Sequence, residues 1–428
     1  MQTETRNKII DMIRREVVPA MGCTEPIAVA LCVAKAKEIL GKTPDKIEVG
    51  LSGNIIKNAM GVGIPGTGMV GLPIAVALGA LIGKSDYELE VIRDVTQEAI
   101  NEGKKMIEEG RIKISHIPCT PSNLHIEVKV KSDDSSCREA EAVISGAHTH
   151  FVRLSKGGEV IFNETDSAGT NDNSADFPLT METVYEFATT APFEEIEFIL
   201  EAGRINKEAA ELALSGDYGH SLGATIRKYG MTLFGDTPLE RMISLTSAAC
   251  DARMGGASIS VMSNSGSGNQ GITCTLPVVS YAEDIGADDE TKARALIMSH
   301  LTSIYIKQSL GRLSALCGCV VASTGASSGL VYLMGGDFQQ VCAAIKNMVA
   351  NLTGMICDGA KPACAMKISS GVSTAVMSAM LAMNGRCVSE AEGIVAKDID
   401  RTINNLTVIG REAMLETDKL VLKIMVEK

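Results

Sequence analysis

The sequence predicts an α+β protein in which a mixed α/β N-terminal domain is followed by a mostly helical C-terminal domain. Segments in which apolar and polar residues alternate lie before residue 165, and His125–Lys131 (HIEVKVK) is the clearest of them. From Pro178 to the C-terminus, apolar residues instead recur at helical spacing. The polar segment 163–176 between the two patterns is typical of a linker. These observations predict domains at 1–165 and 166–428.

The N-terminal domain is expected to contain a helix at Thr24–Leu40, where apolar residues recur every three or four positions, and a strand at Lys46–Leu51, where they alternate. Its other predicted elements are helices at 72–81 and 87–109, strands at 112–117, 125–131, 139–154 and 160–162, and a hairpin turn at 155–159. The same reasoning predicts helices in the C-terminal domain at 180–188, 193–202, 207–215, 239–253, 289–311, 339–351, 372–383 and 389–406.

The composition limits the classes of function. The chain has 428 residues, a formal net charge of −12 and 45% hydrophobic residues, which allows two or three domains with sizeable cores. An acidic chain is not expected to bind nucleic acid or an anionic membrane, since both demand a basic surface. The start of the chain lacks a signal-peptide pattern, and the apolar run 69–83 is too short and glycine-rich to span a bilayer. We therefore expect a cytoplasmic protein.

The chain contains twelve cysteines, which are not expected to form disulfides in a chain of this length and compartment. Most are expected to be small buried apolar residues. Cys317, Cys357 and Cys364, however, lie in a Gly/Ala/Ser-rich C-terminal third. Three thiolates leave a metal site or a four-iron cluster open by one position, which a substrate can occupy. Spacing alone does not select these three, because Cys319 lies two residues from Cys317.

A fourth cysteine, Cys23, lies in the segment GCTEPIA at the predicted start of a helix. Thr24 is expected to cap this helix, with Glu25 and Pro26 in its first turn. At the positive end of a helix the pKa of a thiol falls, so that thiolate becomes available near neutral pH. The alternative is an ordinary capped helix whose cysteine packs inward.

Two polar, glycine-rich segments, 51–68 and 263–271 (SNSGSGNQG), resemble anion-binding loops because they combine backbone N–H groups with Ser, Asn and Lys side chains. Loops that need only positive φ are the alternative. The candidate substrate-binding residues in these loops are Asn54, Lys57, Ser263, Asn264, Ser265 and Gly266.

Two further motifs are weak. Residues 61–66 (GVGIPG) fit the dinucleotide-binding fingerprint, but the strand and helix that should flank it are not predicted there. Residues 146–151 (GAHTHF) are expected to place His148 and His150 on one face of a strand, without a third metal ligand nearby.

Five segments together resemble the L-cysteine desulfidases, which belong to the wider iron–sulfur L-serine dehydratase alpha-chain group. They are GCTEP, SGNIIKNAMGVGIPGTG, SNSGSGNQG, LCGCVVASTGASSG and CDGAKPACAMK, in the same order. The resemblance implies that Cys317, Cys357 and Cys364 bind a [4Fe–4S] cluster with one open iron, and that Cys23 is the catalytic base. Cys319 is the alternative ligand if the C-G-C segment is shifted in register. Related proteins also imply a homo-oligomer, specifically a homodimer.

The resemblance implies a lyase that degrades L-cysteine to pyruvate, ammonia and hydrogen sulfide by β-elimination, without pyridoxal phosphate. Serine dehydratases carry a Ser/His-rich segment where this chain has GCTEP, which favours L-cysteine over L-serine as the substrate. Three alternatives remain: an L-serine dehydratase of the same mechanism, a non-catalytic cluster-based sensor, and a binding module in which the cysteines hold structural zinc.

Overall fold

The computed structural model of the chain describes residues 1–133, 139–164, 177–233, 235–311 and 314–427. It confirms the predicted α+β class, because a mixed sheet in the N-terminal part is followed by packed helices. The helices are α1 Thr3–Glu16, α2 Thr24–Leu40, α3 Gly53–Ala59, α4 Leu72–Leu81, α5 Gln97–Glu108, α6 Met181–Thr190, α7 Phe193–Ile196, α8 Leu200–Ser215, α9 Leu222–Leu233, α10 Pro238–Met254, α11 Gly268–Asp284, α12 Asp289–Leu310, α13 Gly318–Leu333, α14 Phe338–Leu352, α15 Cys364–Met383, α16 Ile399–Val408 and α17 Leu415–Val426.

The strands are β1 Pro19–Met21, β2 Lys46–Leu51, β3 Gly63–Ile64, β4 Met69–Val70, β5 Ile112–His116, β6 His125–Lys131, β7 Glu139–Ser145, β8 Phe151–Lys156, β9 Glu159–Asn163 and β10 Ser260–Met262. Six of them form one sheet in the order β5–β2–β6–β7–β8–β9, in which only β2 and β5 run parallel. Apolar residues alternate along β2, and its buried side chains pack with α2 and α4 into the N-terminal core. The sheet therefore fixes the orientation of α2, whose N-cap residue is Cys23.

Several predicted elements differ from the structure. The helices predicted at 193–202 and 207–215 are the short α7 and the continuous α8, and the helices predicted at 372–383 and 389–406 begin instead at Cys364 and Ile399. The single strand predicted at 139–154 is two strands, β7 and β8, because Gly146 adopts a φ of 79° that ends the first of them. His148 and His150 therefore lie in a turn and not on the face of a strand. The helix predicted at 87–109 begins only at Gln97, because the Thr96 side chain accepts a hydrogen bond from the Ala99 N–H and caps it.

The helices of the C-terminal part pack around α13, which is rich in Gly, Ala and Ser and is buried along most of its length. A Cβ atom at Gly329 would lie 2.7 Å from the carbonyl oxygen of Ala295 on α12, so these two helices approach at backbone distance. On its other side, a Cβ atom at Gly371 of α15 would lie 2.7 Å from the Cys319 sulfur of α13. Small residues thus bring the ends of several helices close together.

Each end of the chain packs against the part of the molecule that the opposite end of the sequence forms. Ile9 and Ile13 of α1 are buried in the helical core, and β1 pairs with β10. At the other end, Leu422 of α17 contacts α3 at Gly53. The domain boundary at residue 165 stays a prediction. The predicted linker begins with the last residue of β9, and its residues 165–176 lie outside the described part of the chain.

One helix among the described residues, α15, is long and apolar enough by composition to cross a bilayer. Half of its most apolar window is buried against the rest of the protein. The core helices of soluble proteins have the same properties.

Candidate active site

Three of the four cysteines singled out from the sequence lie at the N-termini of helices. Cys23 is the N-cap residue of α2, Cys317 is the N-cap residue of α13, and Cys364 is the first residue of α15. Thr24 was predicted to cap α2, but the structure places it one residue inside the helix, and no side chain caps this end. Each of these helix ends carries unpaired backbone N–H groups and partial positive charge, which favours a negatively charged ligand.

The fourth cysteine, Cys357, is held beside Cys317 by backbone hydrogen bonds. The Cys317 N–H donates to the Met355 carbonyl over 3.0 Å, and the Cys357 N–H donates to the Ala315 carbonyl over 2.7 Å. The side chains of Cys317 and Cys357 hydrogen-bond to each other. That contact and burial raise the pKa of the Cys357 thiol well above its usual range. Hydrogen bonding to Cys319, together with burial, raises the pKa of the Cys317 thiol to about 12.

The loop between Cys357 and Cys364 is fixed by an acidic residue and two lysines. Asp358 forms ion pairs with Lys361, at 2.6 Å, and with Lys367. Burial opposes the ionisation of Asp358, but hydrogen bonds from the two lysines outweigh it and lower the pKa of this carboxyl to about 2. The Cys364 N–H donates to the Lys361 carbonyl over 2.9 Å. Both lysines therefore lie next to the thiols, where a net negative metal cluster would need positive charge.

Cys23 lies close enough to Cys364 for the two thiols to interact electrostatically, although 341 residues separate them in the chain. Burial raises the pKa of the Cys23 thiol to about 12, and the nearby Arg253 guanidinium opposes this rise. The lowering of the Cys23 pKa expected from the helix N-terminus is therefore wrong for this structure, because only 2% of the residue is exposed. The thiol holds its proton at neutral pH.

No three His, Cys, Asp or Glu side chains within the described ranges converge closely enough to hold a single metal ion. This does not favour a preformed zinc site, in which all ligands meet at one atom. In an iron–sulfur cluster the cysteines bind different irons, so the ligands need not converge on one atom. The donor set of Cys317, Cys357 and Cys364, with two lysines and two helix N-termini around it, fits such a cluster.

The side chain of Cys319, the alternative ligand, hydrogen-bonds to Cys317 and also reaches α15. Its sulfur donates to the Lys367 carbonyl over 3.0 Å, and it packs against Gly371 of α15. Its side chain is therefore engaged between α13 and α15.

Lys57 and Asn54, two of the predicted substrate-binding residues, lie on α3. The Lys57 side chain is 3% exposed and forms an ion pair with Asp418 of α17. The charge of Lys57 acts on the Cys357 thiol, and the Lys57 carbonyl packs against Gly359. Asn54 uses its backbone carbonyl to accept a hydrogen bond from the Asn58 side chain. The structure thus brings Lys57 to the cysteine loop and gives no contact of Asn54 with it.

The predicted residues in the second loop use their side chains to hold the loop itself. The Ser263 hydroxyl donates to the Val18 carbonyl over 2.6 Å, and Asn264 Nδ2 donates to the His300 carbonyl over 3.2 Å. The Ser265 hydroxyl donates to Asn264 Oδ1 over 2.9 Å, and Gly266 completes the turn at a φ of 77°. A substrate contact by these four residues stays a prediction.

Two polar residues that the sequence analysis did not single out lie at the same site. Arg253, near the end of α10, is 6% exposed, and its Nε atom has no hydrogen-bond partner among the described residues. Gln270, in the first turn of α11, is 2% exposed, and its Oε1 atom also lacks a partner there. An arginine in the segment SAACDARMGG, where Asp251 is the only other charged residue, was the available signal for Arg253.

Comparison with known protein families identifies the family of this chain. A model of the serine dehydratase alpha chain matches residues 86–423, which is well over half of the chain. The chain belongs to the serine dehydratase alpha-chain family. One relative, the UPF0597 protein of Bacteroides fragilis, is 60% identical to this chain over 429 aligned residues, which cover all of both chains. Membership of the family expected from the sequence is thereby confirmed.

More distant relatives match this chain over nearly their whole length. The UPF0597 protein of Oleidesulfovibrio alaskensis is 50% identical across 99% of this chain and 98% of its own. That of Chromobacterium violaceum is 43% identical across 98% of this chain and 97% of its own. Family membership indicates a lyase that acts on an amino acid, while none of these names mentions L-cysteine.

Proposed function

We propose that the protein is an iron–sulfur-dependent lyase that degrades L-cysteine to pyruvate, ammonia and hydrogen sulfide by β-elimination. The observation that supports this most is that Cys23, from the N-terminal part, lies close enough to Cys364 of the cysteine group for the two thiols to interact electrostatically. A thiol near three others is an arrangement that could combine a proton-transfer group with a metal site that has one open position.

Cys317, Cys357 and Cys364 are the proposed ligands of a [4Fe–4S] cluster. When bound, the cluster supplies a Lewis acid that holds the leaving sulfur of the substrate. Lys361 and Lys367 add positive charge at this point, and each is tied to Asp358, so their positions are fixed before the substrate arrives. Pyridoxal phosphate is not required for this chemistry.

The proposed base is the Cys23 sulfur, which takes the proton from the α-carbon of the substrate. The electron pair of that C–H bond forms the Cα=Cβ double bond, and sulfide leaves from the β-carbon. The released aminoacrylate tautomerises and hydrolyses to pyruvate and ammonia. To act as a base, Cys23 must first lose its own proton, which burial opposes and the neighbouring Arg253 guanidinium favours. The resulting thiolate is a strong base, and burial keeps water away from the sulfur.

L-Serine is the second candidate substrate, and the description of the matched family favours it. The same residues would act, with hydroxide in place of sulfide as the leaving group. We further propose a homo-oligomer located in the cytoplasm. The cysteines of the described ranges are all free, which agrees with a reducing compartment.

The test is anaerobic purification followed by metal and product analysis. We expect a brown protein with broad visible absorption and about four irons per chain. Pyruvate with sulfide from L-cysteine supports the proposal, and pyruvate from L-serine alone supports the second candidate. A colourless anaerobic preparation with stoichiometric zinc contradicts both.

The cluster ligands are tested by comparing two neighbouring cysteines. Cys317→Ala should lose the visible absorption and the iron, because it removes one of the three proposed cluster ligands. Cys319→Ala is the matched control, since Cys319 lies two residues away with its sulfur bonded to the Lys367 carbonyl. We expect this control to retain its iron. The reverse result would assign the ligand to Cys319 instead.

A further inference from the structure

Arg253 is a buried cation for which the described residues provide no carboxylate partner. It lies in the last turn of α10, and one guanidinium nitrogen, Nη1, donates to Asn269 Oδ1 over 3.0 Å. The nearest acid on its own helix, Asp251, accepts hydrogen bonds from the Gly223 and His220 N–H groups and is thereby used as a cap for α9. Arg253 also hydrogen-bonds to the Cys23 thiol, which is a neutral group. Removing a guanidinium from water without a charged partner is costly, so a buried arginine of this kind indicates a missing anion.

The surroundings of the guanidinium also favour an anion. Gly268, the first residue of α11, packs directly against Arg253 Nε, so the N-terminal turn of α11 lies beside the unpartnered N–H. Unpaired backbone N–H groups and the guanidinium therefore face the same region. Arg253 is also close enough to Cys23 to act on its thiol. An anion bound here would lie next to the proposed base.

Gln270, two residues after Gly268 in α11, provides a buried hydrogen-bond acceptor. Its Nε2 atom donates to the Asn264 carbonyl over 3.0 Å, which fixes the orientation of the amide and leaves Oε1 as the atom without a partner. A Cβ atom at Gly318 would lie 3.0 Å from this oxygen, so Oε1 lies beside the residue that follows Cys317. A buried acceptor without a donor indicates a missing N–H group.

We propose that Arg253 binds the carboxylate of an α-amino acid and that Gln270 Oε1 accepts a hydrogen bond from its ammonium group. The pair would hold the zwitterionic head of the substrate between Cys23 on one side and Cys317 on the other. This inference rests on the proposed function for the identity of the ligand, and it adds the residues that recognise every amino-acid substrate irrespective of its leaving group. The hydroxyl-rich loop 263–267 supports Gln270 through the Asn264 carbonyl.

The competing explanation for Arg253 is that its charge offsets the negative charge of the cluster. The two explanations differ in what the removal of the guanidinium changes. A carboxylate-binding arginine determines the affinity for amino acids and leaves the iron content unaltered. An arginine that only balances the cluster determines the iron content and leaves the affinity for amino acids unaltered.

The experiment measures binding by calorimetry and turnover in the same anaerobic preparations. The binding probes are L-alanine, which has the head group but no leaving group, and L-alaninamide, which lacks the carboxylate. We expect L-alanine to bind wild-type protein and L-alaninamide to bind roughly ten- to hundredfold more weakly, because a charge-assisted hydrogen bond is lost. Equal binding of the two probes would overturn the inference without any variant, and turnover of L-cysteine would remain to be judged separately.

The variants are Arg253→Gln and Arg253→Lys, with Gln270→Leu for the second contact. Arg253→Gln should raise the KM for L-cysteine and weaken L-alanine binding roughly ten- to hundredfold, with unchanged visible absorption. Arg253→Lys keeps the charge without the planar fork and should lose less. Arg241→Gln serves as the control, because Arg241 lies in the first turn of α10, far along the helix from Arg253, and pairs with Asp284 of α11. If Arg253→Gln lost its iron while L-alanine still bound as in the wild type, the cluster-balancing explanation would replace ours.

Discussion

Cys23 is the residue on which the proposed reaction depends most directly. Cys23→Ala should retain the visible absorption, because Cys23 is not among the proposed ligands, and should lower kcat by roughly 10²–10⁴-fold, as expected for a missing general base. The readout is pyruvate formation at matched iron content. Cys32→Ala is the control, because Cys32 lies on the same helix, is equally buried and bonds to the Ala142 carbonyl of the sheet. Full activity of Cys23→Ala would exclude Cys23 as the base.

His300 makes the stability of the second loop dependent on pH. Thr275 Oγ1 donates to the Gly271 carbonyl over 2.7 Å, so it accepts from His300 Nε2, and Nδ1 accepts from Asn264 Nδ2 over 3.1 Å. The imidazole is therefore neutral, and a proton on Nδ1 would face the amide N–H group of Asn264. Burial lowers the pKa of His300 to about 3.

The folded-state pKa of His300 lies below its ordinary value of 6.5, so the unfolded chain binds this proton more readily. The contribution of the neutral His300 imidazole to the free energy of unfolding is fully present above pH 6.5. It falls as the pH drops toward 3, by about 1.4 kcal/mol per pH unit. We expect urea unfolding of His300→Gln to lack this part of the pH dependence. Identical slopes for wild type and variant between pH 6.5 and 4.5 would mean that the imidazole is already protonated in the folded protein.

At the scale of single elements, local patterns predicted most of the secondary structure. α2, β2, α4 and β6 have the bounds that apolar periodicity predicted, because each is a regular element with one or both faces in a core. The errors at β7–β8 and before α5 arose where one residue decided the end of an element, namely the positive φ of Gly146 and the side-chain cap of Thr96. Such effects of single residues are not visible in the apolar periodicity of a longer segment.

The close packing of α13 can be tested with one methyl group. Gly329→Ala would place a Cβ atom 2.7 Å from the backbone oxygen of Ala295, which cannot move without shifting α12. We expect the free energy of unfolding to fall by about 1–3 kcal/mol, even though alanine favours helix. Gly103→Ala in α5 is the control, because its new methyl would meet first the flexible end of Ile74 at 3.0 Å. If urea unfolding showed Gly103→Ala to be less stable than Gly329→Ala, α12 and α13 would tolerate a wider separation.

At the scale of the whole molecule, the contacts that build the candidate site join residues that are far apart in sequence. Family resemblance selected Cys23, Cys317, Cys357 and Cys364, but no local pattern indicates that Cys23 lies beside Cys364. Arg253 and Gln270 could have been noticed as polar residues in apolar or small surroundings. Their unpartnered atoms, however, are properties of the packing between α10, α11 and α13, and only the folded chain has them.

The ion pair between Lys57 and Asp418 ties the C-terminal helix to the N-terminal part of the molecule. Asp418→Asn should lower the free energy of unfolding by about 1–3 kcal/mol, because it leaves the buried ammonium of Lys57 without a charged partner. Lys57→Met in the same chain should restore part of this loss. Glu416→Gln is the control, since its exposed pair with Lys419 should contribute nothing measurable. Equal stability of Asp418→Asn and wild type would mean that water reaches Lys57.

The joining of the two chain ends has a consequence for the order of events during synthesis. Cys23 and Lys57 leave the ribosome early, while Cys364 and Asp418 are added near the end of translation. A nascent chain therefore carries a thiol and a lysine whose partners do not yet exist, and the three proposed ligands all emerge in its last third. Assembly of the proposed cluster requires all three ligands, so translation products that end before Cys364 would lack one of them.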